Sequence, residues 1–222
     1  MLSFCLLRLP IVYPTVAWLA LFATATANAD DSNAVNKAPT ASNSTVDDKF
    51  HIVGYLPEYR AAQIDPEVGK DVTDLVYFSA QIDASGHLQL AKLRPEHILK
   101  LQKIKQQYHT ALSLCVGGWG RSDGFAKVAA SDEARRTFAA ALVKFCQDNQ
   151  FDGADLDWEH PANEAEQRDY GILLTTIRQA FEPHHLQLTI AVAGWQGLTA
   201  EAIQAVDRVH LMAHDARGRH ST

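Results

Sequence analysis

Strand-like runs recur six times along this chain, at 51–55, 74–82, 110–116, 151–160, 186–193 and 208–212, and helix-like runs fill several of the gaps. Short, nearly continuous apolar strands alternating with helices belong to parallel sheets, where helices cover the faces and make the crossovers. Pro95 opens one helix at its first turn, with Ile98, Leu101, Ile104 and Tyr108 along one side. Ser131 caps a second, which repeats Ala134, Phe138, Leu142 and Phe145 at helical spacing. Asn163, with Glu166 three positions on, caps a third whose inner face is Leu174, Ile177 and Phe181. The fold class predicted is α/β, with six β/α units in succession. A closed barrel of this type takes eight, so six units mean either an open sheet or part of a barrel.

The fourth run is unlike the others. Residues 151–160 read Phe-Asp-Gly-Ala-Asp-Leu-Asp-Trp-Glu-His. On a strand, side chains alternate faces, so Asp155, Asp157 and Glu159 point one way and Ala154, Leu156 and Trp158 the other. The apolar set suits packing against helices. Carboxylates on the opposite, inward face are costly unless they have partners or a task. Clustered like charges also push proton affinities apart, so that one carboxyl keeps its proton while another ionises. A solvated acidic edge strand would not need Leu156 and Trp158. A calcium loop counted from Asp152 would need Gly at its sixth position and Glu at its twelfth, where Asp157 and Asn163 stand.

The spacing Asp152-Gly153-x-Asp155-x-Asp157-Trp158-Glu159 resembles the signature of the family 18 glycoside hydrolases, the chitinase family. The resemblance implies a (β/α)8 TIM barrel, of which about six β/α units are present and the C-terminal part is missing. It also implies that Glu159 is the proton donor, that Asp157 holds the substrate's acetamido group, and that Asp155 shares a proton with Asp157. Gly54-Tyr55 resembles the family's Gly-Tyr, whose hydroxyl reaches the first inward Asp; a core tyrosine is the alternative. Cys115-Val116-Gly117-Gly118 resembles Ser-x-Gly-Gly, with the weaker donor Cys115 in place of Ser; a plain strand-to-loop turn is the alternative. Trp119 follows the glycine pair, placed to wall a sugar subsite. Met212-Ala213-His214-Asp215 resembles Met-x-Tyr-Asp, so Met212, His214 and Asp215 join Tyr55 and Trp119 as substrate-binding candidates, with His214 replacing the donor Tyr.

Glycosidases usually set two carboxylates on opposite sides of the scissile bond. Here the candidate acids share one strand, with Asp157 and Glu159 roughly 7 Å apart along it, so a nucleophile must come from elsewhere. The resemblance implies that the substrate supplies it, through the 2-acetamido oxygen. The expected partners are chitin, chitooligosaccharides or other N-acetylglucosamine-containing glycans. A non-catalytic, lectin-like glycan-binding barrel or an inactive relic is the competing class; loss of the Glu usually marks it, and Glu159 is present.

The rest of the chain sets the context. A net charge of −6 over 222 residues, with no basic block, argues against a nucleic-acid partner. Residues 1–29 read as a signal peptide: Arg8 precedes an apolar run from Leu9 to Phe22, and Ala27-Asn28-Ala29 makes a small-x-small cleavage site. Pro10 and Pro14 interrupt that run, so a membrane span is the weaker reading. Export to the cell exterior or periplasm is expected, without membrane attachment after cleavage. Residues 30–49 are polar and read as a disordered spacer, leaving 50–222 as the catalytic domain. Cys115 and Cys146 are expected as free, buried thiols. No cofactor or metal is expected: His210 and His214 on one strand would lie roughly 13 Å apart, too far to share an ion.

Overall fold

The computed structural model describes residues 50–213. The predicted leader and spacer lie outside them, as do His214 and Asp215. The elements in order are β1 (Val53–Pro57), β2 (Asp74–Ile82), β3 (Leu88–Gln89), α1 (Pro95–Tyr108), β4 (Ala111–Gly117), α2 (Phe125–Ala130), α3 (Asp132–Asn149), β5 (Gly153–Asp157), α4 (Glu164–Phe181), β6 (Gln187–Ala193), α5 (Ala200–Ala205) and β7 (Arg208–Met212). The main strands pair in parallel in the order β1-β2-β4-β5-β6-β7, and β3 adds a short antiparallel partner to β2. This is the curled sheet of a TIM barrel carried through six parallel strands, as the resemblance implies.

Register sorts the side chains into two faces. Leu112, Leu114 and Val116 of β4, Ala154 and Leu156 of β5, and Leu188, Ile190 and Val192 of β6 are buried and belong to the hydrophobic core. Phe138 and Leu142 of α3 and Leu173, Leu174, Ile177 and Phe181 of α4 meet them there. The other face is polar. Cys115 stands beside Asp155, Asp155 beside Thr189, and Thr189 beside Arg208 across four adjacent strands. A sheet buried on both faces can carry such a layer only where its polar groups find one another.

The caps form as read. Ala134 N–H donates to Ser131 Oγ (3.3 Å) and Glu166 N–H donates to Asn163 Oδ1 (3.0 Å). The Glu166 carboxylate reaches one residue farther back than a capping box requires, accepting from Ala162 N–H at 2.8 Å. Cys115 and Cys146 are free and buried, on a strand and a helix as expected.

Two expectations need correction. The first strand was placed at 51–55, but it runs Val53–Pro57, because Ile52 O is taken by the Thr73 and Asp74 N–H groups below the ladder. The fourth strand ends at Asp157, so Trp158 and Glu159 sit in the turn beyond it. The short helices α2 and α5 and the strand β3 were not anticipated. Each is too brief to show a period. Among the described residues, no helix is long and apolar enough to cross a membrane.

Candidate active site

The close of β4 sets the site. Gly117 and Gly118 take φ of +106° and +99°, which only glycine adopts freely. A Cβ on Gly117 would lie 2.2 Å from Asp157 O, and Gly118 N–H donates to that same oxygen at 2.7 Å. The glycine pair therefore seats the end of β4 against the end of β5. Ser122, just past it, also donates to Asp157 O (3.2 Å), and its Oγ accepts from Glu159 N–H at 3.0 Å. Trp158 turns outward, stacking on Phe125 and meeting Tyr170 edge-on. With that indole anchored among helices, Glu159 is left facing the cleft.

Asp155 is fully buried. Its Oδ2 accepts from Tyr55 OH at 2.9 Å, and its Oδ1 from Thr189 OH at 2.6 Å. His210 Nδ1 lies 3.2 Å from Oδ1 and 2.7 Å from the Tyr55 oxygen. Cys115 adds its thiol to the same carboxylate; burial first, then the charges of Asp155 and Asp157, push that thiol far above its usual range, so it stays a proton-bearing donor. Burial and Asp155 likewise keep the Tyr55 hydroxyl protonated.

Asp157 differs. It is nearly as buried, yet its Oδ1 has no hydrogen-bond partner among the described residues. Burial, then the charge of Glu159, then that of Asp155, push its proton affinity up to about 7. The two aspartates thus differ in their donors: both Asp155 oxygens accept hydrogen bonds, while Asp157 Oδ1 accepts none among the described residues.

A cleft of about 380 Å³ opens over these groups, lined by Tyr55, Phe78, Trp119, Asp157, Glu159 and His210 among others. A second, of about 530 Å³, shares Trp119, Glu159 and Met212 with it and continues to His160 and Trp195. Trp119 and Trp195 are 81% and 72% exposed, so two indoles stand free along one groove. Their flat faces suit stacking on apolar faces of sugar rings. The structure thus brings Tyr55, Trp119, Asp155, Asp157, Glu159 and Met212 together, while His214 and Asp215 lie outside the described residues.

Several participants escaped the sequence reading. Thr189 looked like one more strand residue. His160 meets Trp195 edge-on, with its Nδ1 3.2 Å from Gln196 Oε1. Arg121 pairs with Glu58 (2.8 Å) and lies over the Phe78 ring, bracing the rim. His210 carries no motif of its own and enters the sequence reading only through the question of metal. Its parity with Met212, two residues on along the same strand, was the available sign that it faces inward. Among the described residues no group of three His, Cys, Asp or Glu side chains is arranged to hold a metal ion.

Comparison with known proteins agrees with this geometry. The family model described as "Glycosyl hydrolases family 18" matches residues 51–222. The chain is 35% identical over 127 residues to Chitinase 1 of Aphanocladium album, covering 51% of this chain and 30% of that protein. It is 28% identical over 189 residues to Probable chitinase 2 of Drosophila melanogaster, covering 74% and 38%. A solved family 18 N-acetylglucosaminidase from Paenibacillus barengoltzii superposes with a TM-score of 0.69 at 26% identity, covering 76% of this chain and 55% of that one. The chain spans under two fifths of these curated relatives and about half of the solved chain.

Proposed function

The chain belongs to the glycosyl hydrolases of family 18, and on that premise we propose that it is a chitinase-like glycosidase cleaving β-1,4 bonds between N-acetylglucosamine units. Relatives named as chitinases and a solved N-acetylglucosaminidase support the substrate class. The observation that carries the mechanism is the one-sided placement of acid. Asp157 and Glu159 line the 380 Å³ cleft together, and the rest of its lining (Tyr55, Pro57, Phe78, Trp119, Ala191, His210, Leu211 and Met212) offers no carboxylate opposite them. Among the described residues no carboxylate stands across the anomeric carbon from them, and in this reading the substrate's own acetamido oxygen acts as the nucleophile.

In this reading Glu159 gives its proton to the glycosidic oxygen as the bond from C1 to that oxygen breaks. The acetamido carbonyl oxygen closes on C1, forming an oxazolinium ion. The Glu159 carboxylate then removes a proton from water as the water oxygen attacks C1 and the ring reopens, so the configuration at C1 is retained. Asp157 faces the acetamide, and its proton can pass toward Asp155 as positive charge develops on the oxazolinium. Tyr55 and Met212 line the acetamido side, and Trp119 and Trp195 carry the flanking sugars. His214 and Asp215 complete the substrate contacts in this proposal, with chitin and chitooligosaccharides as partners met outside the cell after removal of residues 1–29.

The test is Glu159→Gln assayed on a fluorogenic N-acetylchitobioside. A loss of about 10²–10⁴-fold is expected, with ligand-induced quenching of tryptophan fluorescence retained. Activity near that of the unaltered protein would remove Glu159 from its role. If the unaltered protein binds without turnover, the lectin-like reading replaces hydrolysis. A thiazoline analogue of the oxazolinium should compete with substrate, and cleavage of cellulose oligomers would rule out substrate assistance.

A further inference from the structure

His210 is placed where none of the roles above uses it. It sits at the middle of β7, opposite Ala191 of β6, on the inward face between Arg208 and Met212. Its ring meets the Tyr55 ring edge-on, with centroids 5.8 Å apart. That contact joins the last described strand to the first.

The hydrogen bonds assign its tautomer. Tyr55 has one hydroxyl proton, and Asp155 Oδ2, at 2.9 Å, receives it. Toward the Tyr55 oxygen at 2.7 Å, His210 Nδ1 must therefore donate, and the same N–H lies within 3.2 Å of Asp155 Oδ1. His210 Nε2 is buried and has no partner among the described residues. A bare nitrogen lone pair there is cheaper than an N–H with nothing to accept it, which again puts the proton on Nδ1.

We propose that His210 is a positioning residue for the acidic site: its Nδ1–H holds Tyr55 and Asp155 in place and donates to Asp155, so that in the free protein the proton shared by the two aspartates rests on Asp157. This rests on the hydrolase reading for its purpose but not for its geometry. Among the described residues, the ionisable groups that act on the pair are Tyr55 of β1, Cys115 of β4, Glu159 beyond β5 and, from the opposite face of the sheet, Tyr170 of α4, with Arg208 farther along the inner face of β7. Tyr55 and Cys115 are held protonated, as is the buried Tyr170. Arg208 is engaged with Asp74 one layer below. His210 is thus the donor whose position decides between the two carboxyls. Removing its N–H strips one donor from Asp155, which then competes for the proton, and Asp157 loses the charged neighbour that raises its affinity.

The test is carboxyl-carbon NMR titration of the whole chain labelled at aspartate, which needs no turnover. Asn places an amide N–H where His has Nδ1, and Gln places it where His has Nε2, at similar polarity. His210→Asn should keep the Asp157 step near that of the unaltered chain. His210→Gln should lower that step by about one pH unit or more, as expected for loss of a neighbouring charge, and bring the Asp155 carbon into the same titration. If both variants titrate like the unaltered chain, or both shift alike, donor position does not matter and the proposal is overturned. Absence of hydrolysis would leave this result standing, and its failure would leave the hydrolase reading intact.

Discussion

Two polar clusters occupy the inner face of this sheet, and they have opposite character. In the lower one, Asp74 of β2 is satisfied on both oxygens. Arg208 pairs with Oδ1, while Thr73 (2.5 Å) and His51 (2.9 Å) reach Oδ2. Burial alone would raise the affinity of Asp74 for a proton, but the hydrogen bonds from Arg208, Thr73 and His51 outweigh it and hold it below the usual carboxylate range. In the upper cluster Asp157 is as deeply buried, yet its Oδ1 has no partner among the described residues and its affinity rises to about 7. Burial is common to both. What differs is whether neighbouring donors meet the carboxylate, and that separates an aspartate that ties strands together from one whose carboxyl lacks donors.

The largest effect that would test this contrast is on stability. Arg208→Met should remove the cation from Asp74 and cost about 2–3 kcal/mol by urea denaturation; a broken buried pair costs roughly 3–5, reduced here because Arg208 keeps some solvent contact. A midpoint within error of the unaltered protein would show that Thr73 and His51 suffice for Asp74.

Two pH dependences of opposite sign come next. Asp74 has a lowered affinity when folded, so it stabilises the fold above the ordinary carboxylate range, and that contribution is lost as pH falls through its folded value. Asp74→Asn should remove this acid-side loss. Asp157 has a raised affinity, so between the ordinary range and about pH 7 the folded state binds the extra proton. Its contribution to stability therefore declines as pH rises across that window, and Asp157→Asn should flatten the decline. Unfolding midpoints measured from pH 2 to pH 8 check both, the Asp74 loss below about pH 4 and the Asp157 decline above it. The same sign in the two variants would erase the distinction.

The smallest effect is expected at Thr189. Thr189→Val removes one of the donors to Asp155 Oδ1, and His210 still reaches that oxygen. A loss of about 1 kcal/mol follows. A loss several times larger would make Thr189, rather than His210, the main support of Asp155.

Local rules carried much of this fold. Ser131 and Asn163 announced their helices because a cap bonds to a backbone group only three residues away. The alternation through Asp155 and Asp157 fixed which side chains share a face, and the acid spacing with Trp158 and Glu159 was specific enough to identify the family. Glu159 nevertheless faces the cleft from a turn, held by Ser122 and by the anchored Trp158, and no strand alternation describes that. The pairing of Tyr55 with His210 spans 155 positions and that of Arg208 with Asp74 spans 134. These contacts exist only because the curled sheet brings β7 back toward β1 and β2. Spacing along a chain does not encode such a return, and the charge state of a buried carboxyl depends on which donors arrive with it. The sequence by itself therefore determined the order of the main strands, the caps and the three acids, whereas tertiary structure alone decided that both Asp155 oxygens would be met by donors and that burial beside Glu159 and Asp155 would raise the proton affinity of Asp157.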